Sequence, residues 1–405
     1  MKKTIILVAA ALMCGTAMAQ EAKDAPKDEG YKFTIVKELP VTSVKNQAKA
    51  GTCWDYSGTA FLEAELLRMG KGEYDLSEMF TAYWDYMDRA TAVIRNHGTL
   101  SFSQGGCFGD VLHCMERYGL VPEEEMRPGV MYRDSLSNHG ELSAMTNPMV
   151  KAAASSGSLQ SDSNYQLLSL KAIKAVHDVY LGVPPERFTY KGKTYTPKSF
   201  YESTGLKADD YVQITAFLHE PLYGTFAVES PDNWRHDLSY NVTLDELLEI
   251  TDYAISHGYP VGWDSDVSEA GFRQGVKNGF CVLPATEVKA TDQGSDMAHW
   301  TGMKAQEIQD EAATRPTPQR WVTPEERQLA WDNHETNDDH LMLIYGTAKD
   351  QLGNEYYMVK NSWGDHGAYH GMFFASKAYV RYKTVTILIH KDALSSAMKK
   401  KLGVK

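Results

Sequence analysis

Cys53 follows Gln47-Ala48-Lys49-Ala50-Gly51-Thr52 and precedes a stretch that reads as a helix from Trp54 to Met69. Phe61, Leu62, Ala64, Leu66 and Leu67 give that helix a wide apolar face, and Gly70 stops it. A thiol in the first turn of a helix meets unpaired N–H groups and the positive end of the dipole. Both favour thiolate, which is the nucleophilic form. Gln47 offers a side-chain N–H to the oxygen that becomes negative when a thiolate attacks a carbonyl. Hydrolysis also needs a proton carrier, and two residues far downstream suit that work. His340 opens the apolar run Leu341-Met342-Leu343-Ile344, and Asn361 ends the next such run, in Asn361-Ser362-Trp363-Gly364. Neighbouring strands can carry a base and the amide that orients it.

Each residue has a plainer reading. A lone cysteine is usually a small buried hydrophobe, a histidine at a strand end can be a satisfied core group, and Asn361 can hold the turn before Gly364. The order Gln, Cys-Trp, His, Asn-Ser-Trp-Gly is what favours chemistry. In that order the chain resembles the papain-like cysteine peptidases, and within them the bleomycin hydrolase and aminopeptidase C branch. Gln104-Gly105-Gly106 leading through Asp110 to Tyr118-Gly119-Leu120-Val121-Pro122, then Thr196-Pro197-Lys198-Ser199-Phe200-Tyr201 and Gly258-Tyr259-Pro260-Val261, are similar to segments of that branch. So is the long gap between Cys53 and His340, and so is Ala50, where many papains carry a disulfide-forming cysteine. The resemblance implies an α+β fold with a helical half and a sheet-rich half around a cleft. It implies a catalytic Cys53, His340 and Asn361, and an oxyanion hole from Gln47 and the Cys53 N–H. Gly105 and Gly106 would form a substrate wall and Trp363 would shield the His–Asn contact and border the substrate. The Cys53–His340 pair would be a thiolate–imidazolium ion pair, the reaction peptide hydrolysis without a cofactor, and the assembly a hexamer.

These residues need elements to hold them. Helices are expected at Ser77 to Thr91, Gly106 to Tyr118, Tyr165 to Leu181, Leu244 to His257, Thr323 to Asn333 with Thr323 as cap, and Asp392 to Leu402. Strands are expected at Tyr259 to Trp263, Leu341 to Ala348, Tyr356 to Lys360, Met372 to Ala375 and Lys383 to His390. Residues 20–40 read as a mobile arm, 130–165 as a Ser-, Gly- and Asn-rich loop, and 292–319 as a polar surface excursion. The expected plan is a helical half over about 41–130, a largely helical insertion over about 131–258, a sheet-rich half over about 259–390 and a closing helix over about 391–402.

Residues 1–19 have Lys2 and Lys3, an apolar run from Ile5 to Met13 and Ala17-Met18-Ala19, the pattern of a secretory signal peptide. The run is too short to span a bilayer, so residues 20–405 are expected in the periplasm or outside the cell. The full chain has 405 residues and a net charge of −12, and removing two lysines makes it more acidic, which argues against nucleic acid as a partner. Residues 20–46 are too few for an inhibitory prodomain.

Export permits disulfides. Cys107 and Cys114, if both helical, lie roughly 10 Å apart by helical rise, beyond the reach of about 7 Å for a bridge, and Cys281 has no evident partner. His334, Glu335, Asp338, Asp339 and His340 cluster in sequence, but a metal on His340 would remove the base the thiol needs, and no metal is expected. Asp55 is acidic where papain-like motifs carry a neutral residue and is expected to oppose thiolate formation. It gives a footing to a second reading, a binding or assembly module with weak catalysis. Acyl transfer to an amine would need the same triad. Relatives of the branch end in an arm that lies in the cleft and limits cutting to the N-terminus. After Leu402 this sequence has only Gly403-Val404-Lys405, so an endopeptidase is an expectation beside the aminopeptidase.

Overall fold

Why one helix should sit at the centre follows from its side chains: α1 (Cys53–Arg68) buries every residue from Trp54 to Leu66. It is wedged between a sheet strand and two other helices, α2 (Glu78–Arg95) and α3 (Phe108–Tyr118). Gly58 makes the α1–α3 approach possible, since a Cβ there would lie 2.6 Å from a methyl of Val111. The Ser77 hydroxyl caps α2 by accepting from the Phe80 N–H at 3.2 Å, an arrangement worth about 1 kcal/mol. α4 (Gly140–Ser155) and α5 (Leu168–Leu181) pack outside α2 through Ile94, Val150, Ala153 and Ile173. The computed structural model describes residues 30–275, 278–286 and 303–405.

The strands are β1 (Thr34–Glu38), β2 (Phe188–Tyr190), β3 (Lys193–Tyr195), β4 (Tyr211–Thr215), β5 (Thr225–Ala227), β6 (Leu238–Asn241), β7 (Val261–Ser265), β8 (Phe280–Cys281), β9 (His340–Lys349), β10 (Glu355–Lys360), β11 (Met372–Ser376) and β12 (Thr384–His390). Ten of them form one sheet, in the order β5-β6-β4-β12-β7-β9-β10-β11-β8, with β1 antiparallel on β9; β2 and β3 form a separate hairpin. β9 runs antiparallel to both β7 and β10. Its continuous apolar stretch has a simple cause, because both of its faces are buried. Leu341 and Leu343 point into the core shared with α1, α2 and α3, while Met342 and Ile344 point into the core on the other face with Trp263, Tyr357 and Val359.

An α+β architecture with a helical side and a sheet side is therefore present, with element boundaries close to those expected. Several stretches differ. Within residues 20–40, Thr34–Glu38 pairs with Gly346–Lys349 and is a strand, not a mobile arm; residues 20–29 lie outside the described chain. The stretch 130–165, expected as loop, contains α4. Its Pro148 and its small polar residues hide a buried stripe of Leu142, Thr146, Val150, Ala153 and Ala154 at helical spacing. Within 131–258 there are α6 (Pro197–Thr204) and α7 (Leu244–Ser256), yet β4 joins β12 and carries β6 and β5 with it. That part of the expected insertion belongs to the main sheet. Of the polar excursion, residues 292–302 lie outside the described residues, and Ala305–Ala312 is helical. Residues 1–19 also lie outside them. The closing helix is shorter than expected, Ser396–Leu402, with a hydroxyl cap from Ser395.

Candidate active site

Cys53 is the first residue of α1, and the two elements that face it are the loop before it and the start of β9. The preceding loop is fixed from several directions. The Gln47 N–H donates to the Ser362 carbonyl at 2.8 Å, and the Ser362 hydroxyl donates to Gln47 Oε1 at 2.6 Å. Gln47 Nε2 donates to the Ala50 carbonyl at 2.9 Å. An amide nitrogen carries two N–H bonds, so one is left for another acceptor. Gly51 donates its N–H to Gln104 Oε1 at 2.7 Å, and Trp54 donates its indole N–H to the Gln104 carbonyl at 2.8 Å. Gln104 thus ties the Cys53 turn to the Gly105-Gly106 segment.

On the opposite side, His340 is 4% exposed and Asn361 is 3% exposed. His340 Nε2 lies 2.7 Å from Asn361 Oδ1. That amide oxygen also accepts from the Ser362 N–H at 2.7 Å, which fixes which way the amide points. An oxygen there makes Nε2 the protonated nitrogen of the ring and leaves Nδ1 free to accept. The Trp363 ring stacks on His340 with centroids 4.7 Å apart and planes 28° from parallel. A contact so covered is protected from competition by water. The backbone N–H of Leu341, the residue after His340, bonds the Cys53 sulfur and lowers its proton affinity.

Burial pushes the Cys53 thiol up to about 12, with Asp338 and Asp264 adding to the rise and the Leu341 and Trp54 N–H groups opposing it. Burial pulls His340 down to about 4, against the hydrogen bond it donates to Asn361. Each charged form is opposed by desolvation when taken alone. The expected thiolate–imidazolium pair must therefore draw its stability from the two charges forming together.

The sequence-derived residues Gln47, Cys53, His340, Asn361 and Trp363 thus converge from three elements. Gly105 and Gly106 lie on the same side as Gln104, and their lack of a Cβ has a structural reason. A Cβ on Gly105 would meet Asp232 Oδ2 at 2.0 Å, and one on Gly106 would meet the Trp54 ring at 3.0 Å. Asp55 does not behave as expected. It is 0% exposed, accepts from the Thr59 hydroxyl at 3.2 Å, and burial together with Glu78 holds its carboxyl well above the usual range. It faces the helical core as a neutral acid, and the acids acting on Cys53 are Asp338 and Asp264 instead. Neither of those two, nor Ser362 or Gln104, was singled out for such work from sequence. Position beside His340 was the only available signal for Asp338.

Among the described residues, no three His, Cys, Asp or Glu side chains converge as a metal site. From the sequence cluster, Glu335 accepts from the Tyr382 hydroxyl at 2.7 Å and His340 faces Asn361. Cys53, Cys107, Cys114 and Cys281 are free thiols.

Comparison with known proteins gives a consistent picture. The model of the Peptidase C1-like family matches residues 2–283 and 319–404. Aminopeptidase C of Streptococcus thermophilus is 24% identical, covering 94% of this chain and 87% of that protein. Aminopeptidase G of Lactobacillus delbrueckii subsp. lactis is 22% identical, covering 88% and 83%. Among solved structures, PepW from Lactobacillus rhamnosis HN001 superposes with a TM-score of 0.67 at 20% identity, over 91% of this chain and 84% of that one, which shows a shared, papain-like fold.

Proposed function

The chain belongs to the Peptidase C1-like family, is a cysteine peptidase, and on that premise we propose that it is an aminopeptidase using Cys53, His340 and Asn361. The observation that carries this reading is the 2.7 Å His340–Asn361 contact at the start of the strand whose next N–H meets the Cys53 sulfur. The relatives called aminopeptidase C and G support the choice of exopeptidase.

In the proposed reaction the Cys53 sulfur attacks the carbonyl carbon of a peptide bond, and the thiol proton passes to His340 Nδ1. The carbonyl oxygen, now negative, accepts from the free N–H of Gln47 and from the Cys53 N–H. When the C–N bond breaks, the leaving amine takes the proton from His340 and an acyl thioester remains. Water then adds to the thioester, giving one proton to His340, and the sulfur leaves and is reprotonated. Asn361 holds the imidazole in the tautomer that keeps Nδ1 available. Trp363 covers that contact and borders the cleft with Gly105 and Gly106. The binding-module reading loses its footing, because Asp55 is buried in the helical core and is not among the groups acting on Cys53.

Mass spectrometry of a digested ten-residue peptide tests the reading. Stepwise loss of single residues from the N-terminus, abolished by Cys53→Ala, is expected; internal fragments without single-residue loss would contradict it.

We also propose that residues 1–19 direct export, on the strength of Lys2-Lys3, the apolar run and Ala17-Met18-Ala19. Among the described residues no helix is long and apolar enough to cross a membrane. N-terminal sequencing of the protein from its native host is expected to begin at Gln20.

A further inference from the structure

Two carboxyl groups stand near the Cys53 thiol, and a third adjoins one of them. Asp338 stands two residues before His340, and Asp264 on β7 lies opposite Leu341 in the β7–β9 register. Both carboxyl groups stand near enough to the Cys53 sulfur to oppose its ionisation. Asp232, from the loop after β5, presses against the position that a Cβ of Gly105 would occupy. Asp232, Asp338 and Ser230 together line an open cleft of about 620 Å³.

The roles within the group differ. Asp264 is 2% exposed, its Oδ2 accepts from the Thr386 hydroxyl at 3.1 Å, and its carboxyl hydrogen-bonds that of Asp338. Burial, reinforced by Asp338, holds its carboxyl far above the usual range, so it is the protonated member of the pair. Asp338 accepts from the Ser230 hydroxyl at 2.5 Å. The groups acting on it are Ser230, Asp232 and Asp264, with no cation among them. Asp232 accepts from Arg89 Nη2 at 3.3 Å and from the Ser103 hydroxyl at 3.0 Å. Arg89 is committed elsewhere as well, donating to the Gly105 and Pro231 carbonyls. Asp338 therefore lines this cleft two residues from His340, with acidic neighbours and no cation among the groups acting on it.

An uncompensated carboxylate in such a place is costly unless a cation arrives. The described residues offer no convergent set for a metal ion, whereas an ammonium group needs only acceptors around three N–H bonds. We propose that Asp338, seconded by Asp232, receives the α-ammonium of the peptide's first residue, so that the bond presented to Cys53 is the first one in the chain. This deepens, and rests on, the aminopeptidase reading above. Asp264 is a positioning residue in this account: from behind, its protonated carboxyl supports Asp338.

The test uses the full chain with three fluorogenic amides of coumarin: Ala, N-acetyl-Ala and N-acetyl-Lys-Ala. The wild type is expected to favour the free Ala amide over its acetylated form by at least about 100-fold in kcat/KM. Asp338→Asn is expected to lower kcat/KM for the free amide by about tenfold or more, chiefly through KM, so that the preference collapses. Asp232→Asn is expected to do the same to a smaller extent. An unchanged preference in both variants overturns the assignment, and so does an equal loss on free and acetylated Ala, which is what a damaged fold would give. Cleavage of N-acetyl-Lys-Ala that depends on Asp338 would move the cation from the α-amine to a side chain and also overturns it. A wild type with no preference for a free amine contradicts the aminopeptidase reading itself, which separates the two failures.

Discussion

Two buried carboxyl groups, Asp55 on the helical side of this molecule and Asp266 on the sheet-rich side, are treated in opposite ways. On the helical side, burial pushes Asp55, Glu78, Asp85 and Asp110 above the usual carboxylate range, Asp85 to about 7. On the sheet side, Asp266 is held below it. Burial alone would raise Asp266, but bonds from Ser268, the Lys383 ammonium and the Asn337 N–H outweigh that effect. Asp55 serves as a neutral hydrogen-bonding group, and Asp266 keeps its charge by pairing it. The cleft between the two sides draws one catalytic group from each, Cys53 from a helix start and His340 from a strand start, and it carries the Asp264–Asp338 pair in which both habits meet. A formula charge therefore says little about the charge that a nucleophile feels.

Removing either side's contribution should have the largest effect. Cys53→Ala is expected to lower kcat by about four orders of magnitude or more and His340→Ala by about three, whereas Asn361→Ala, which only releases the ring, should cost about 10- to 100-fold. Steady-state kinetics with unchanged far-ultraviolet circular dichroism is the check. Equal losses at His340 and Asn361 would mean that the amide does more than orient.

Next in size is the contrast between the two kinds of buried acid. Lys383 is 0% exposed and lies 3.4 Å from Asp266, so Lys383→Met strands a buried carboxylate and should cost about 3–5 kcal/mol in urea unfolding. Asp55→Asn replaces an acid that is already neutral and should cost less than about 1 kcal/mol, with no change in the pH profile of Cys53 alkylation. A reversed order would break the comparison.

The pH dependence of stability is the subtler consequence. A carboxyl whose folded value is raised above its unfolded one favours the fold at low pH, and that stability is lost as pH rises through the folded value. Burial raises Asp85 to about 7 and Glu123 to about 9, and holds Asp55, Asp110 and Asp264 well above their usual range. The buried histidines His139, His177 and His340, lowered to about 4 by burial, oppose that trend near their ordinary value of about 6.5, where the unfolded imidazole is still partly protonated, and cease to do so about one unit higher. Between pH 6.5 and pH 8.5 the melting temperature should therefore fall, by about 5 °C or more. A flat or rising profile in calorimetry would mean that paired acids like Asp266 dominate.

A finer effect is the shift in thiol reactivity expected on replacing Asp338. Replacing it by Asn removes a negative charge near the Cys53 thiol, which stabilises the thiolate, so the midpoint of iodoacetamide alkylation should move down by about half a unit to one unit.

The comparison also explains what the sequence could convey. Periodicity marks α1, β9 and β10, because apolar runs carry that information directly, and the resemblance to papain-like peptidases implies the convergence of Gln47, Cys53, His340 and Asn361. α4 was hidden by Pro148 and by small polar residues whose burial depends on contacts with α2. Thr34–Glu38 was hidden because an exposed edge strand pairs through its backbone, and its side chains carry no buried pattern. The acids facing the thiol were not legible for a related reason. Asp264 is separated from Cys53 by about half the chain, while Asp55, two residues away, turns to the other side of its helix. Chain proximity misled where side-chain direction decided.

The central claim is that Cys53 is the nucleophile of a thiol peptidase, and it is tested most directly by a peptidyl epoxide inhibitor followed by peptide mapping. The account predicts one label per chain, on Cys53, with activity lost in proportion to labelling and no label on Cys53→Ala. Label on Cys107 or Cys281, or activity that survives complete modification of Cys53, would contradict it.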